Sequence, residues 1–299
     1  MTTILPKFYI VGAPKCGTTT IYDWLGAHPS VCAPHKEPCF FSQDIFPTSH
    51  LSTHIPSLEA YCEIFSLKSG QLISGEATPK YLYSDQALSE IARLRPDARI
   101  IVCLRDPVEL VISLHNQKLR EGVEPEVNFE KAWARSLDSL ASEDLGLPFD
   151  RHYYHWACIG SRLQAVYRHF PASSVLVLLT SELRADPQGC YLKMMEFLGL
   201  EDDGRQNFAR HNERVRIRNL GFHRALLAVK QFLQPVLNPI SQLRGGRGLG
   251  IMRLVNAVNL QSGQYTVSVS ADFRAHMYQQ LAEEIELVEK SLDCRRVMQ

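Results

Sequence analysis

Residues 7–25 read "KFYIVGAPKCGTTTIYDWL". Lys7–Ala13 is a short run of apolar and β-favouring residues, which predicts a buried strand. From Thr18 onward Ile21, Trp24 and Leu25 recur at helical spacing, and His28-Pro29 closes the predicted helix. Between strand and helix, Gly12 and Gly17 have the separation found in the phosphate-binding loop of nucleotide triphosphatases. A loop of this kind aims backbone N–H groups and hydroxyls at an anion on a helix N-terminus. The lysine, however, is displaced. In the triphosphatase loop it follows the second glycine, whereas here Thr18 follows Gly17 and Lys15 lies inside the loop. A tight βα turn rich in small residues is the simpler alternative, but Lys15 together with Thr18, Thr19 and Thr20 exceeds what a turn needs.

Further along, strand and helix patterns alternate. "QLISGEA" (71–77) predicts a second strand, and "DQALSEIARLRPD" (85–97) an amphipathic helix with Asp85 as its N-cap. "ARIIVCLRDP" (98–107) has a continuous apolar run, Ile100–Leu104, of the sort that marks a strand buried on both faces. Asp106 and Pro107 then supply the N-cap and first position of a helix through 122. A polar stretch covers about 121–150, and 151–171 reads as one long helix. "SSVLVLLTSEL" (173–183) is another buried strand, followed by a helix in 186–200. From about 203 the sequence turns basic, then helical at 222–233, then glycine- and arginine-rich at 241–250. It ends in a long helix from 271 with Ser270 as N-cap. Alternating units of this kind predict a mainly parallel sheet. The expectation is one α/β domain over 1–299: a P-loop-like three-layer fold whose central sheet is flanked by helices. Its core would span about 7–200, with a helical C-terminal part over about 203–299.

The chain has 299 residues, with 32 Lys plus Arg balanced by 32 Asp plus Glu, so no global field recruits nucleic acid or an anionic membrane. Any anion site must be local. The eight cysteines include no CxxC pair and no zinc-ligand spacing, which predicts reduced thiols, no metal and a cytoplasmic protein. No apolar run approaches membrane-spanning length, and the few residues before the first strand are too short for a signal peptide.

A nucleotide triphosphatase would end the 99–104 strand with an aspartate for magnesium. Here that strand delivers Arg105, while Asp106 and Pro107 start the next helix, and Ser113 follows two turns along it. Cations and hydroxyls without a metal carboxylate suit an anion handled without magnesium.

These blocks carry a resemblance. "FYIVGAPKCGTTTIYDWLGAHP", "HKEPCFFS", "GEATPKYLY", "IIVCLRDPVELVISLHNQKLREG" and "VLVLLTSELRADPQGCYLKMMEFLGL" resemble, in order, successive blocks of the PAPS-dependent sulfotransferases. The match is to the heparan-sulfate-type and related bacterial branch, over roughly residues 7–200. PAPS is 3′-phosphoadenosine 5′-phosphosulfate, and PAP is the product left when its sulfuryl group departs. The resemblance implies that Lys15, Cys16, Gly17, Thr18, Thr19 and Thr20 hold the 5′-phosphosulfate, with Lys15 beside the bridging oxygen that leaves. It implies that Arg105 and Ser113 bind the 3′-phosphate and that Glu76 is the general base. His115 is a second candidate base. Lys36, with His35 and Gln117, would face the acceptor. The implied reaction is in-line transfer of sulfuryl from PAPS to a hydroxyl, or less readily an amine, of a small-molecule, glycolipid or carbohydrate acceptor, with no metal.

The sequence departs from the family in places. A tyrosine that contacts the nucleotide is replaced by Ile159, leaving Tyr153 or Tyr154 for that contact. The family's disulfide-closed Lys-Gly-Arg loop is absent, and Arg214, Arg216 or Arg218 would substitute, with Arg216 placed at the nucleotide. Trp24 and Trp156 could stack on adenine or substrate, although helix-core packing is the better reading of Trp24. The glycine-rich 241–250 segment would be a mobile acceptor-side loop. A divergent kinase or nucleotidase, and a non-catalytic PAP-binding module, remain the competing readings.

Overall fold

The structure, a computed structural model, describes residues 5–45, 55–141, 149–209, 215–219, 221–226, 228–229, 260–262 and 267–297. In chain order the elements are β1 (Phe8–Gly12), α1 (Thr18–Gly26), β2 (Val31–Cys32), α2 (Leu58–Ile64), β3 (Ile73–Ala77), a 3₁₀ turn (Pro79–Tyr83), α3 (Asp85–Leu94), β4 (Arg99–Leu104) and α4 (Pro107–Glu121). There follow α5 (Phe129–Ala141), α6 (Tyr153–Ala157), α7 (Ile159–His169), β5 (Val175–Leu179), α8 (Thr180–Ala185) and α9 (Pro187–Leu198). The short strands β6 (Val215–Ile217) and β7 (Leu260–Ser262) precede two last helices, Ala271–Gln280 and Ala282–Val297.

The chain divides into two compact units. One comprises Met1–Val111, His152–Asn212 and Arg274–Gln299, the other Ile112–Arg151 and Glu213–Phe273. The first holds a five-stranded sheet in the order β2-β3-β1-β4-β5, every pairing parallel. Its strands are the apolar runs of the sequence. Phe8 to Val11 and Ile100 to Cys103 are completely enclosed, as strands covered on both faces must be. The register sets Tyr9 against Glu76 and Gly12 against Cys103. Helices between successive parallel strands give the three-layer P-loop-like arrangement. In the second unit β6 and β7 form an antiparallel pair.

Local chemistry explains the helix ends. Asp106 Oδ1 accepts the Glu109 N–H at 2.8 Å ahead of Pro107, as the sequence predicts for α4. Ser270 Oγ likewise accepts the Phe273 N–H at 3.2 Å. For α3 the cap is Ser84 rather than Asp85: its hydroxyl takes the Ala87 N–H at 2.9 Å, and Asp85 is the first helical residue. The 151–171 stretch is not one helix. Cys158, at φ −72° and ψ 58°, leaves helical geometry and separates α6 from α7. The predicted last helix is similarly interrupted at Leu281. The polar 121–150 stretch contains α5, whose buried face of Phe129, Ala132, Trp133 and Ser136 has helical spacing hidden among charged residues.

Gly12 is where β1 runs closest to β4. A Cβ there would stand 2.8 Å from both the nitrogen and the oxygen of Cys103, a contact with backbone that cannot swing aside. Gly12→Ala is therefore expected to cost about 1–3 kcal/mol of stability, the usual range for overpacking a core. A shift in the urea midpoint at constant slope would measure it.

Candidate functional site

In a parallel sheet every strand ends on the same edge, and ligands of open α/β sheets bind beyond those carboxyl ends. In the first unit β1 runs there into the 13–17 loop, β3 into Glu76–Thr78, β4 into Arg105 and β5 into Thr180. The loop adopts two left-handed residues, Lys15 at φ 68° and Gly17 at φ 87°. Glycine accepts this freely, but a lysine does not, and a non-glycine residue in such a region costs about 1–3 kcal/mol. Gly17 is also the N-cap of the nine-residue helix α1, and it has no side chain with which to cap the helix. Thr18 and Thr20 are buried at its start, and Thr19 is half-buried. The strained Lys15 thus stands beside a helix N-terminus, where backbone N–H groups are left without intrahelical partners.

Arg105 faces the loop. Its side chain is only 8% exposed, and its Nη2 donates to Glu109 Oε2 at 3.0 Å while Nη1 donates to the Lys15 carbonyl at 3.4 Å. Glu109 also pairs with Arg274. The Cys16 thiol is fully buried, and burial pushes its pKa up to about 12 despite the opposing pull of Arg105 and Lys15. It stays a neutral thiol, which rules it out as a nucleophile.

Glu76 is 0% exposed. Tyr61 of α2 donates its hydroxyl to Oε1, Thr78 donates to Oε2 at 2.7 Å, and Tyr81 donates to Oε1 at 3.2 Å. Burial pushes the carboxyl pKa up to about 7, and the three hydroxyls, which favour the ionised form, restrain the rise. Tyr61 is fixed in turn by aromatic neighbours: Phe40 stacks on it with ring centroids 4.7 Å apart, and Phe41 and Phe65 pack at 5.2 and 5.1 Å. A carboxyl that titrates near neutrality, on the strand beside an anion loop, is equipped for proton transfer.

The sulfotransferase domain family matches residues 5–220, an interval that contains every element just described. The chain belongs to that family. It is similar to human heparan sulfate glucosamine 3-O-sulfotransferase 3B1, with 28% identity over 202 residues, covering 66% of this chain and 47% of that protein. Human bifunctional heparan sulfate N-deacetylase/N-sulfotransferase 3 is 26% identical over 203 residues, covering 66% of this chain and 22% of that one. The chain thus spans less than half the length of these relatives. Among solved structures, a sulfotransferase from Alicyclobacillus acidocaldarius superposes with a TM-score of 0.61 at 25% identity, over 84% of this chain and 99% of that one.

In this member of the family the first unit brings Lys15, Cys16, Gly17, the threonines and Arg105 to one sheet edge, with Glu76 on the neighbouring strand. Lys36 is ion-paired with Glu37, and His35 beside it is half-buried. Ser113, His115, Gln117 and Arg216 belong to the second unit. Ser113 is buried on α4, and Gln117 donates to Glu121 Oε1 at 2.6 Å. His115 is 0% exposed, packed edge-on against Phe129 with its Nε2 3.2 Å from the Val127 carbonyl. Burial lowers its pKa, partly offset by the Val127 carbonyl and by Glu124 and Glu126. Arg216 lies in β6 and Arg218 is exposed just beyond it, whereas Arg214 and the 241–250 segment fall outside the described residues. Trp24 packs edge-on against Phe208 and donates to the Ala209 carbonyl at 3.0 Å, as a helix-core residue does. Trp156 is buried against Tyr83, as is Tyr153 in the core, while Tyr154 is half-buried.

Sequence reasoning did not find Tyr61, Thr78 and Tyr81 as the groups that surround Glu76. Thr78 and Tyr81 stand in "GEATPKYLY" and could have been suspected from proximity; Tyr61 comes from a different helix and carries no local signal.

The raised Glu76 pKa fixes a sign for stability. The folded state holds the proton up to about pH 7 and the unfolded chain releases it near 4.5, so this group's contribution is fully present below pH 4.5 and lost as pH rises through 7. Glu76→Gln is therefore expected to match the wild type in stability below pH 4.5 and to exceed it at pH 8, by on the order of 3 kcal/mol. Denaturation midpoints of the two proteins across this pH range test the difference.

Proposed function

We propose that this chain transfers a sulfuryl group from PAPS to the hydroxyl of a small-molecule or carbohydrate acceptor. The observation that carries the reading is Glu76, a fully enclosed carboxylate with its pKa near 7, one strand away from a strained cationic loop. PAPS is a doubly anionic-ended donor, and the sheet edge fits it. The loop N–H groups, Lys15 and the start of α1 suit the 5′-phosphosulfate, and the fork of Arg105 suits the 3′-phosphate. Relatives named as sulfotransferases support the same reaction class.

In this mechanism Glu76 takes the proton of the acceptor hydroxyl as its oxygen attacks sulfur. Oε1 accepts two of the three hydroxyls and Oε2 one, so Oε2 keeps a lone pair for the acceptor hydroxyl. Lys15 balances the negative charge that grows on the bridging oxygen as the S–O bond breaks. The remaining loop contacts hold the phosphate still, so that catalysis is chiefly positioning and charge stabilisation. Arg105 anchors the adenosine end. The proposed compartment is the cytoplasm, supported by the free thiols of Cys16, Cys32, Cys39, Cys62, Cys103, Cys158 and Cys190. No helix among the described residues is long and apolar enough to cross a membrane.

Incubation with PAPS and fractionated metabolites, read by mass spectrometry for gain of one sulfuryl group, tests the activity. Once an acceptor is found, kcat is expected to rise with pH through about 7 as Glu76 ionises. Glu76→Gln is expected to lower kcat about 10²–10⁴-fold, the range for loss of a general base, with PAP affinity kept. Phosphoryl transfer from ATP with magnesium, and no sulfuryl transfer from PAPS, would refute the proposal.

A further inference from the structure

The loop's two left-handed residues, Lys15 and Gly17, flank Cys16. In a planar trans peptide the C=O of one residue and the N–H of the next point in opposite directions. Whatever grips the Lys15 carbonyl therefore aims the Cys16 N–H, and whatever grips the Cys16 carbonyl aims the Gly17 N–H. Both carbonyls are gripped by side chains from neighbouring strand ends. Arg105 Nη1 donates to Lys15 O at 3.4 Å, and Thr180 Oγ1 lies 3.3 Å from Cys16 O.

Thr180 follows β5 directly, and its hydroxyl is also 2.9 Å from the carbonyl of Leu104, the last residue of β4. A hydroxyl has one proton, here shared between two carbonyls as in a three-centre bond. The sharing ties the loop to the end of the neighbouring strand through a single side chain. We propose that Thr180 is a positioning residue for the anion loop: by holding the Cys16 carbonyl it turns the Gly17 N–H toward the 5′-phosphosulfate. The inference rests on the PAPS reading above. Thr180 isolates the effect better than Arg105, because Arg105 is also assigned a direct contact with the nucleotide.

A threonine that merely satisfies Leu104 would matter for stability alone, so the test separates the two ends of the nucleotide. Calorimetric titrations would compare PAP, which carries the 5′-phosphate, with adenosine 3′-phosphate, which lacks it. Thr180→Val keeps the shape and removes the hydroxyl. It is expected to weaken PAP about fivefold, the size of one shared neutral hydrogen bond, and to leave adenosine 3′-phosphate unchanged. Thr180→Ser, which restores the hydroxyl, is expected to bind both as the wild type does. PAP affinity unchanged in Thr180→Val, or an equal loss for both ligands, would overturn the proposal. Should Thr180→Val not fold, amide exchange in the wild type decides. The 13–18 segment is expected to be slowed by PAP and not by adenosine 3′-phosphate, and equal slowing by both overturns the assignment. A wild type that binds neither ligand would overturn the PAPS reading itself, which is distinct from a failure confined to Thr180.

Discussion

The chemistry of the first unit hangs from β1, which pairs in parallel with β3 on one side and β4 on the other. Because both pairings are parallel, three consecutive strand ends emerge together. The registers Tyr9↔Glu76 and Gly12↔Cys103 fix how far each projects. The loop leaves β1 at the level where β4 still has one strand residue to run, so the residue that follows, Arg105, reaches back to the Lys15 carbonyl. Gly12 is part of this constraint. With any side chain there, β1 could not approach Cys103, and the loop and Arg105 would lose their common origin.

The second constraint is the burial of Glu76. Enclosing a carboxylate is unfavourable unless hydrogen bonds replace its water, and here three hydroxyls do so only in part, since the pKa remains raised. The Phe40, Phe41 and Phe65 rings hold Tyr61 against the carboxylate. They shield it from water and at the same time deliver one of its hydrogen-bond donors. A site relieved of this tension, as with glutamine at 76, would fold more stably above neutral pH and lose its base. Stability and proton-accepting power are opposed at this one position.

How much of this was legible in the sequence depended on whether the determinant was local. The strand–loop–helix at 8–26, the arginine after β4 and the Asp106-Pro107 start of α4 were readable because each is a run of neighbours with one chemical meaning. Ser84 displaced Asp85 as a cap because the choice turns on one residue of backbone geometry, which composition does not reveal. The break at Cys158 was hidden since 153–169 keeps apolar residues at near-helical spacing through it. α5 was hidden for the opposite reason, with charges obscuring a regular buried face. The tyrosine hydroxyls on Glu76 were least legible. Tyr61 is fifteen residues away in sequence, and only packing of α2 against β3 makes it a partner.

The displaced lysine can now be considered together with its surroundings. Lys15 and Arg105 both pull the Cys16 pKa down, yet burial overrides the two cations and keeps its thiol protonated. Desolvation is thus the stronger force at this sheet edge, as it is at Glu76 one strand away. Where water is excluded, each fixed charge acts at a lower effective dielectric. The same exclusion makes orientation decisive: a peptide N–H aimed wrongly in such a place cannot be replaced by water. That is why the strained φ of Lys15 and the carbonyl contacts of Arg105 and Thr180 belong to one device, in which strand ends hold the loop in a conformation that it would not keep alone.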